Sequence, residues 1–509
     1  MIRRLSPYFA PLGLGFALVT VLAGIAAAEP ATTSTTDQPT APPLRGRREV
    51  VVTPLSAFTP HAAKISPFLY LNRCSGGCTI HGSTGTNDAR TQTSSIPNPG
   101  TYTVGEFQTG TGLSGTLADS EWQAVVACMK EVYSPFAVQV SDTIPAGGVS
   151  YTEAVIAGQP GDIGLGAGIL GIAPLAGDCS PQDNVISFSF ANHHIPGATR
   201  VDDICWTAAQ ETAHAFGLDH EITFADGSSA CNDPMTYNQL NPCGGRRYFR
   251  NKPASCGEDV VRPCRCGGSQ NSHIKITNVF GPGMSTTPPP TTSVVVPVAG
   301  PVATTGFTVH AKGFSQRGIE KMELWLNGYK WAEAKGASFG QSGQLETDYP
   351  MSAPASVPNG IIDIVVKAYD DLGIKTDAAT VTVMKGAACV TAATDCAKGQ
   401  KCAAGKCFWD PAGGMLGDAC TYNQFCTSGI CSGTAESQIC TQACIADVAD
   451  SCPAGYDCVP TSGTNGVCFT ASGGGGGCCS VGGEGDNAIW LHLGLGAAVL
   501  GLVMKRRKR

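Results

Sequence analysis

The sequence predicts a multidomain protein: an α+β domain, then an all-β immunoglobulin-like sandwich, then small disulfide-rich modules and a C-terminal membrane segment. Three observations predict this order. The chain has 509 residues, too many for one compact core. Its 24 cysteines fall into separate even-numbered groups. Pro-rich and Gly-rich stretches separate regions in which the spacing of apolar residues differs.

The N-terminus has the pattern of an export signal. A charged start and an apolar run end in three alanines before Glu29, so residues 1–28 are predicted to be a signal peptide removed on export. A retained signal anchor is the alternative. Residues 29–48 are rich in Thr and Pro and have no apolar period, which predicts a disordered linker.

Residues 49–283 combine helix and strand patterns and are predicted to form the α+β domain. One helix is predicted over residues 120–134, capped by Ser120 with Gln123 and ended by Pro135. A second is predicted over residues 203–216, with Asp202 or Asp203 as its cap and Gly217 in the left-handed position that ends it. Strands are predicted at residues 67–72, 136–140, 154–157 and 185–190, the last alternating apolar and polar residues.

The middle of the chain, residues 284–386, contains no cysteine and mostly has the residue pattern of β-strands. Residues 284–292 are Pro-rich and predict a stiff linker. Residues 293–386 carry the hairpin signal Asn327-Gly328 and an alternating strand around residues 362–368, which fits an immunoglobulin-like sandwich. No side-chain cluster in it suggests chemistry, so a spacer or a binding module is the expectation.

The cysteines indicate disulfides in an exported protein. Ten lie between residues 74 and 266, twelve between residues 389 and 468, and Cys478-Cys479 form a last pair. Residues 387–469 repeat a C-x5-C unit and cannot bury a core without cross-links. A metal cluster is the alternative, but export and the lack of histidine in this block favour disulfides.

The C-terminus reads as an anchor. Residues 470–487 form a Gly- and Cys-rich linker, residues 488–504 an uncharged stretch of membrane-spanning length, and residues 505–509 a basic tail. This order resembles the myxobacterial-type C-terminal sorting tag, which implies display at the cell surface or outer membrane. A simple membrane anchor is the alternative. The net charge of −7, with only short basic runs, argues against a nucleic-acid partner.

The stretch QETAHAFGLDH, residues 210–220, carries the chemistry. Gln210 and His214 are four residues apart and project from one helical face. Gly217 lets the chain leave the helix sharply, so that His220 can return to the same point. Glu211, beside the first of these positions, would act as a general base toward water on a metal.

A second motif follows at Asp233-Pro234-Met235-Thr236-Tyr237. Together the two motifs resemble the metzincin zinc peptidases, in which a methionine turn lies beneath the metal and, in some branches, a tyrosine two residues later can bind it. The resemblance implies a twisted sheet with a backing helix and an active-site helix, zinc, and endopeptidase activity on extracellular protein or peptide. It also implies Glu211 as the base, His214 and His220 as ligands, Met235 in the turn, and Tyr237 as a further ligand.

The departure from this pattern is Gln210, where the family has its first zinc histidine. A neutral amide oxygen is a weaker zinc ligand than imidazole, so a catalytically inactive pseudopeptidase that binds protein or polysaccharide is the alternative. His193-His194 could supply a replacement imidazole, and Arg73-Cys74 a zymogen thiolate, although a local disulfide to Cys78 is the favoured use. The G-x-G-x-x-G match at residues 166–171 precedes no helix pattern and is set aside.

Overall fold

The structure is a computed structural model of the chain. It describes residues 47–53, 65–237, 246–336, 347–409, 412–434, 437–446, 448 and 451–470. The predicted signal peptide, most of the first linker, and residues 471–509 with the predicted membrane segment and basic tail lie outside the described residues.

The first region is built from strands and three helices along its described residues. Its strands are β1 (Arg47–Thr53), β2 (Phe68–Asn72), β3 (Cys78–Gly82), β4 (Thr93–Ser94), β5 (Gly100–Val104), β6 (Gln139–Ser141), β7 (Thr152–Ile156), β8 (Ile169–Ala176), β9 (Ile186–Ser189), β10 (Glu221–Phe224) and β11 (Ala254–Cys256). Its helices are α1 (Asp119–Tyr133), α2 (Arg200–Ala215) and α3 (Ser272–Phe280).

The main sheet of this region has the strand order β1-β8-β9-β7-β2-β6. Strands β9, β7, β2 and β6 are mutually parallel, whereas β8 runs antiparallel to β9 and pairs in parallel with β1. Helices α1 and α2 pack on one face, to which β2 contributes Leu69 and Leu71. The other face, to which β7 contributes Val155, packs against residues of the small sheet β4-β3-β5.

The strand predicted over residues 185–190 corresponds to β9. Because both faces of the sheet are covered, every residue of β9 is buried, including Ser187 and Ser189 of the alternating pattern. Two other predicted strands correspond to β2 and β7. Of the strand predicted over residues 136–140, only the part from Gln139 onward forms a regular strand, which is β6.

The helix starts also differ from the sequence prediction. Helix α1 begins at Asp119, so Ala118 and not Ser120 is its N-cap, and no side chain caps it. Helix α2 begins at Arg200, which leaves Asp202 and Asp203 in its first turn instead of at its cap. Acidic side chains there favour the helix through its dipole without capping it. Helix α1 ends before Pro135 as predicted, and its buried residues include Trp122, Val125, Met129 and Val132, which lie on one helical face.

The second region is a sandwich of two sheets, so the predicted all-β region is confirmed. Its strands are β12 (Thr291–Val296), β13 (Gly300–Val302), β14 (Gly306–Phe314), β15 (Lys321–Leu326), β16 (Tyr329–Lys335), β17 (Thr347–Pro354), β18 (Gly360–Tyr369), β19 (Lys375–Asp377) and β20 (Val381–Lys385). One sheet has the order β12-β14-β17 and the other β13-β20-β18-β15-β16, with β19 beside β18. Strand β12 begins inside the segment predicted as a linker.

The details of the sandwich follow its sequence signals. Asn327 and Gly328 have φ of 48° and 84° and join β15 to β16, as a type I′ turn requires. Along β18 the residues alternate between buried and partly buried, with Ile362, Ile364 and Val366 in the core between the sheets. The core is continuous and apolar, so this region needs no cross-link.

The third region consists of short elements held by disulfides. They are α4 (Ala392–Asp395), β21 (Lys401–Ala403), β22 (Lys406–Phe408), β23 (Ile430–Thr434), β24 (Ser437–Thr441), β25 (Ala443–Ile445), β26 (Tyr456–Ser462) and β27 (Asn465–Thr470). Its bonds are Cys389–Cys402, Cys396–Cys407, Cys420–Cys431, Cys426–Cys440, Cys444–Cys458 and Cys452–Cys468. The twelve cysteines thus form three modules, each linking first to third and second to fourth.

The disulfides indicate an extracellular or secreted protein, because such bonds persist in oxidising compartments. The first region adds Cys74–Cys78, Cys128–Cys205, Cys179–Cys266 and Cys256–Cys264. Cys231 is also disulfide-bonded. Among the helices that the structure describes, none is both long enough and apolar enough to cross a membrane.

Candidate functional site

The last turns of α2 carry the candidate site. Gln210, Glu211 and His214 lie on α2 and are fully buried. Gly217 then donates its N–H to the carbonyl of His214 at 2.9 Å and has φ of +88°. A side chain at residue 217 would also collide with the backbone of Cys179, so only glycine fits. This sharp exit brings His220 back against the helix, as the motif predicts.

The two histidine rings face each other edge to face. Nε2 of His214 lies 3.0 Å from Nε2 of His220, and the ring planes are 89° apart. Each ring's other nitrogen contacts an acceptor. Nδ1 of His214 donates to the carbonyl of Leu218 at 2.7 Å, and Nδ1 of His220 donates to Oε1 of Glu258 at 2.9 Å. The Glu258 carboxyl is ionised, because hydrogen bonds with His220 and Arg262 hold its pKa well below its usual range.

These contacts fix the tautomers. A carbonyl and a carboxylate only accept hydrogen bonds, so both Nδ1 atoms carry hydrogen and both Nε2 atoms of the neutral rings present lone pairs. Two lone pairs at 3.0 Å repel unless a proton or a cation lies between them. Burial, with the neighbouring His220, lowers the pKa of His214 to about 3. A metal cation between the two rings would remove this repulsion, so the geometry can accommodate one.

The spacing suits zinc. Zinc binds imidazole nitrogen at about 2.0–2.1 Å with tetrahedral geometry, which separates two such ligands by roughly 3.3 Å. In the candidate site the two Nε2 atoms are 3.0 Å apart. Neutral imidazole is also the form that binds metals.

Gln210 lies one helical turn before His214, and its amide is fully buried. Its Nε2 donates to the carbonyl of Thr236 in a long hydrogen bond of 3.5 Å. Its Oε1 has no hydrogen-bond partner among the residues that the structure describes. A buried amide oxygen without a partner is costly, and a metal ion is one group that would satisfy it.

Glu211 is held against the backbone of β8. A Cβ atom added to Gly171 would lie 2.7 Å from Cγ and 2.8 Å from Oε1 of Glu211. The carboxylate therefore lies over a strand position where only glycine leaves room. Sequence analysis set this glycine aside with the G-x-G-x-x-G match, but it faces the predicted base.

The methionine turn lies under α2. Met235 is fully buried in the same apolar cluster as Ala209 and Ala213. Its N–H donates to Oδ1 of Asp233 at 2.8 Å, which fixes the turn. Burial raises the pKa of Asp233 to about 6, although hydrogen bonds from Ser272 and from the Met235 and Arg250 amides oppose this. The ring of the partly buried Tyr237 lies 4.3 Å from that of His220, so the predicted further ligand is at the site.

Glu258 was missed by the sequence analysis, and so was the ion network around it. Arg262 donates to Oδ1 and Oδ2 of Asp219 at 2.8 and 2.6 Å and to Oε1 of Glu258 at 2.6 Å. Asp219, His220 and Glu258 are close enough to hold an ion of their own, but Arg262 and Arg265 already form ion pairs with these carboxylates. Their role is to orient the ring of His220. The disulfide-closed loop Cys256–Cys264 that carries Glu258 was the only signal in the sequence.

Other candidates have different uses. His193 Nε2 contacts the carbonyl of Ala167 at 2.7 Å. Cys74 is bonded to Cys78, so it is no zymogen thiolate. Residues 169–176, part of which was set aside with the glycine-rich match, form strand β8.

The comparisons with known proteins add little to this geometry. No family model matches the chain, and no curated protein matches it. Among solved structures, it is similar to the fibronectin(III)-like modules of CbhA from Clostridium thermocellum, with 14% identity over 18% of this chain and 93% of that chain and a TM-score of 0.16. It is also similar to LPMO10B from Micromonospora aurantiaca, with 11% identity over 18% of this chain and 54% of that chain and a TM-score of 0.14.

Proposed function

We propose that the protein is an exported zinc-dependent endopeptidase of metzincin type that cleaves extracellular protein or peptide. One observation carries the proposal: His214, on the helix that also carries Glu211, and His220, just beyond the end of that helix, aim two Nε2 lone pairs at one point. Oε1 of Gln210 supports it, because this oxygen is buried one turn from His214 and has no hydrogen-bond partner among the described residues. The C-terminal pattern of residues 470–509 suggests that the protein is held at the cell surface.

His214, His220 and the amide oxygen of Gln210 would hold the zinc ion, with Tyr237 as a further ligand. When bound, zinc supplies Lewis-acid chemistry, polarising a carbonyl and acidifying water. Glu211 would take a proton from the attacking water and pass it to the leaving amine nitrogen. The contact of Glu258 with Nδ1 would hold the ring of His220 in register.

The first test compares the wild type with Gln210→His. The substitution adds a third imidazole one turn from His214, where imidazole is the better zinc ligand. We expect zinc to bind at least about 10-fold more tightly, because even the loss of a group that is hydrogen-bonded to a metal ligand changes metal affinity by that factor. Elemental analysis and chelator competition measure this, beside cleavage of a generic protein substrate. Equal zinc affinity in both proteins would mean that residue 210 does not face the metal.

Two further variants separate binding from catalysis. His214→Ala should abolish zinc binding in either background, because it removes an imidazole nitrogen that no nearby group replaces. Glu211→Gln should remove cleavage and leave zinc bound, because it removes the base and no ligand. Bound zinc without turnover, in the wild type and in Gln210→His, would favour the alternative of a pseudopeptidase that binds protein or polysaccharide. A wild type without zinc would contradict the proposal.

A further inference from the structure

Two arginines are fully buried where the first region meets the sandwich. Arg250 belongs to the first region and Arg317 to the sandwich, and neither is exposed. Arg317 donates from Nε and Nη2 to the two carboxylate oxygens of Asp371, at 2.7 Å each. Arg250 lies 3.7 Å from the same carboxylate and donates to the carbonyl of Arg317. Asp371 of the sandwich thus lies beside both buried guanidinium groups.

Backbone contacts cross the same boundary. Arg317 donates to the carbonyl of Phe249 at 3.1 Å, and the N–H of Asn251 donates to Asp371 at 3.3 Å. Both arginines also lie near the ring of Tyr248, at 5.5 Å for Arg250 and 4.9 Å for Arg317. The sandwich therefore holds residues 248–251 of the first region from both sides. A spacer on a linker needs no such contacts.

The segment held in this way supports the methionine turn. The N–H of Arg250 donates to Oδ2 of Asp233 at 2.8 Å, and its side-chain Nε donates to the carbonyl of Asn232 at 3.4 Å. Asp233 in turn accepts the N–H of Met235 at 2.8 Å. A continuous path of hydrogen bonds and ion pairs thus runs from Asp371 through Arg250 to the turn, and from Thr236 to Gln210.

The charges make this path sensitive to one residue. A buried ion left without its partner strongly destabilises the fold, whereas an exposed ion pair contributes little. Loss of the Asp371 carboxylate would leave the Arg317 guanidinium without its two-point partner and would remove a carboxylate beside Arg250. Arg250 can reduce that cost only by moving, and it cannot move without pulling on Asn232 and Asp233.

We infer that the sandwich is a working part of the candidate metal site, because Asp371 positions, through Arg250, the turn that carries Met235. This inference rests on the proposed function. Asp371 and Arg250 are positioning residues and touch neither substrate nor metal. Under this inference, residues 293–386 have a supporting role that the prediction of a spacer or a binding module does not include.

The experiment uses the full chain with Asp371→Asn, which removes the charge and keeps the shape. Two quantities are measured on folded protein: zinc affinity by chelator competition, and hydrogen exchange of the peptide containing Met235 in metal-free protein. We expect faster exchange at this turn and zinc binding weakened about 10-fold or more, as when support around a ligand is lost. Unchanged zinc affinity would overturn the inference, whatever the exchange rate.

Lys335→Ala is the matched control. Lys335 also crosses the boundary, to Asp226 at 2.8 Å, but it is 67% exposed and does not lead to the turn. It should change neither quantity. If it changes both as much as Asp371→Asn does, any contact between the regions suffices and the path through Arg250 is wrong.

If Asp371→Asn fails to fold, a second variant tests the inference in its place. Arg250→Lys keeps the charge but loses the Nε contact with Asn232, so it should weaken zinc binding and speed exchange in the same way. Wild-type values in Arg250→Lys would overturn the inference. If the wild type binds no zinc, the proposed function fails by itself. The exchange rates of Asp371→Asn and Lys335→Ala then decide whether the sandwich positions the turn.

Discussion

Glu153 lies in β7 with its side chain fully buried in the first region. Asn72 donates to its Oε1 and Gln92 to its Oε2, both at 2.7 Å. These two bonds favour the carboxylate, but burial outweighs them and raises the pKa to about 7 from an ordinary value of 4.5. The folded protein therefore holds a proton on Glu153 that the unfolded chain has already released.

We expect this group to make stability depend on pH in a definite direction. Its contribution is fully present below about pH 4.5 and is lost as the pH rises through about 7, because ionisation then opposes burial. The effect is on the order of 3 kcal/mol. Denaturant unfolding of wild type and Glu153→Gln from pH 4.5 to 8 measures it. The wild type should lose stability relative to the variant, and parallel curves would rule this out.

The residues of the site differ in how far the sequence could predict them. Gln210, His214 and His220 follow from helical spacing and one glycine, which are local properties. Glu258 is remote in sequence from His220, and Arg250 from Asp371, so only the folded backbone brings these pairs together. The orientation of Gln210 toward Thr236 depends on the methionine turn, which a motif alone does not describe.

Strand β8 and helix α2 meet so closely that one methyl group would disturb the candidate base. A Cβ on Gly171 would lie 2.6 Å from Cγ2 of Thr207 and 2.7 Å from Cγ of Glu211. Such distances force the side chains or the helix to move. The glycine is therefore part of the site, although it carries no chemistry.

Gly171→Ala should destabilise the protein by about 1–3 kcal/mol through overpacking. It should also lower cleavage about 100-fold, because a displacement near 1 Å at a catalytic group has that effect. Gly168→Ala is the control, since a Cβ there meets no atom within 4 Å. Denaturant unfolding measures the change in stability. Cleavage is measured with both alanine substitutions made in the Gln210→His protein. Equal behaviour of the two alanine variants would contradict the contact with Glu211.

Helices and strands could be predicted from the sequence where only one of their faces is buried, because the apolar residues then repeat at a regular spacing. The buried face of α1 and the alternation of β18 follow from their periodicity. The start of α2 did not, because Arg200 is buried and bonded to the carbonyls of Gln108 and Ala191, a tertiary contact that extends the helix beyond its acidic residues. Strand β8 was missed because its residues are nearly all buried and show no period.

On the scale of the whole molecule, the order of an α+β region, a sandwich and cysteine-rich modules follows from composition. The sequence analysis recognised two C-x5-C units, at Cys396 and Cys452, but the middle module has a shorter spacing between Cys426 and Cys431 and was overlooked. The disulfide pairing could not be predicted from this motif. The two cysteines of each C-x5-C unit are the second and third of their module, and they bond to the fourth and first cysteines instead of to each other. The contact between sandwich and first region had no local signal.

The regions should differ sharply in their response to reduction. The sandwich has a continuous apolar core and no cysteine, whereas the buried apolar cluster found in the described part of the modules is built around Cys420, Cys426 and Cys440. Small modules of this kind depend on their cross-links, which contribute about 2–5 kcal/mol each. Breaking the bonds should therefore unfold the modules and leave the sandwich folded.

Limited proteolysis with and without a mild reductant tests this, with the fragments identified by mass spectrometry. We expect cleavage within residues 389–468 to appear on reduction, while residues 293–386 stay resistant because their core contains no disulfide. The bond between Cys128 and Cys205 should break later, since both residues are buried between α1 and α2. Thiol titration of denatured, unreduced protein should find no free thiol among residues 74–468. Modules that resist cleavage after full reduction would show that packing, and not the disulfides, holds them together.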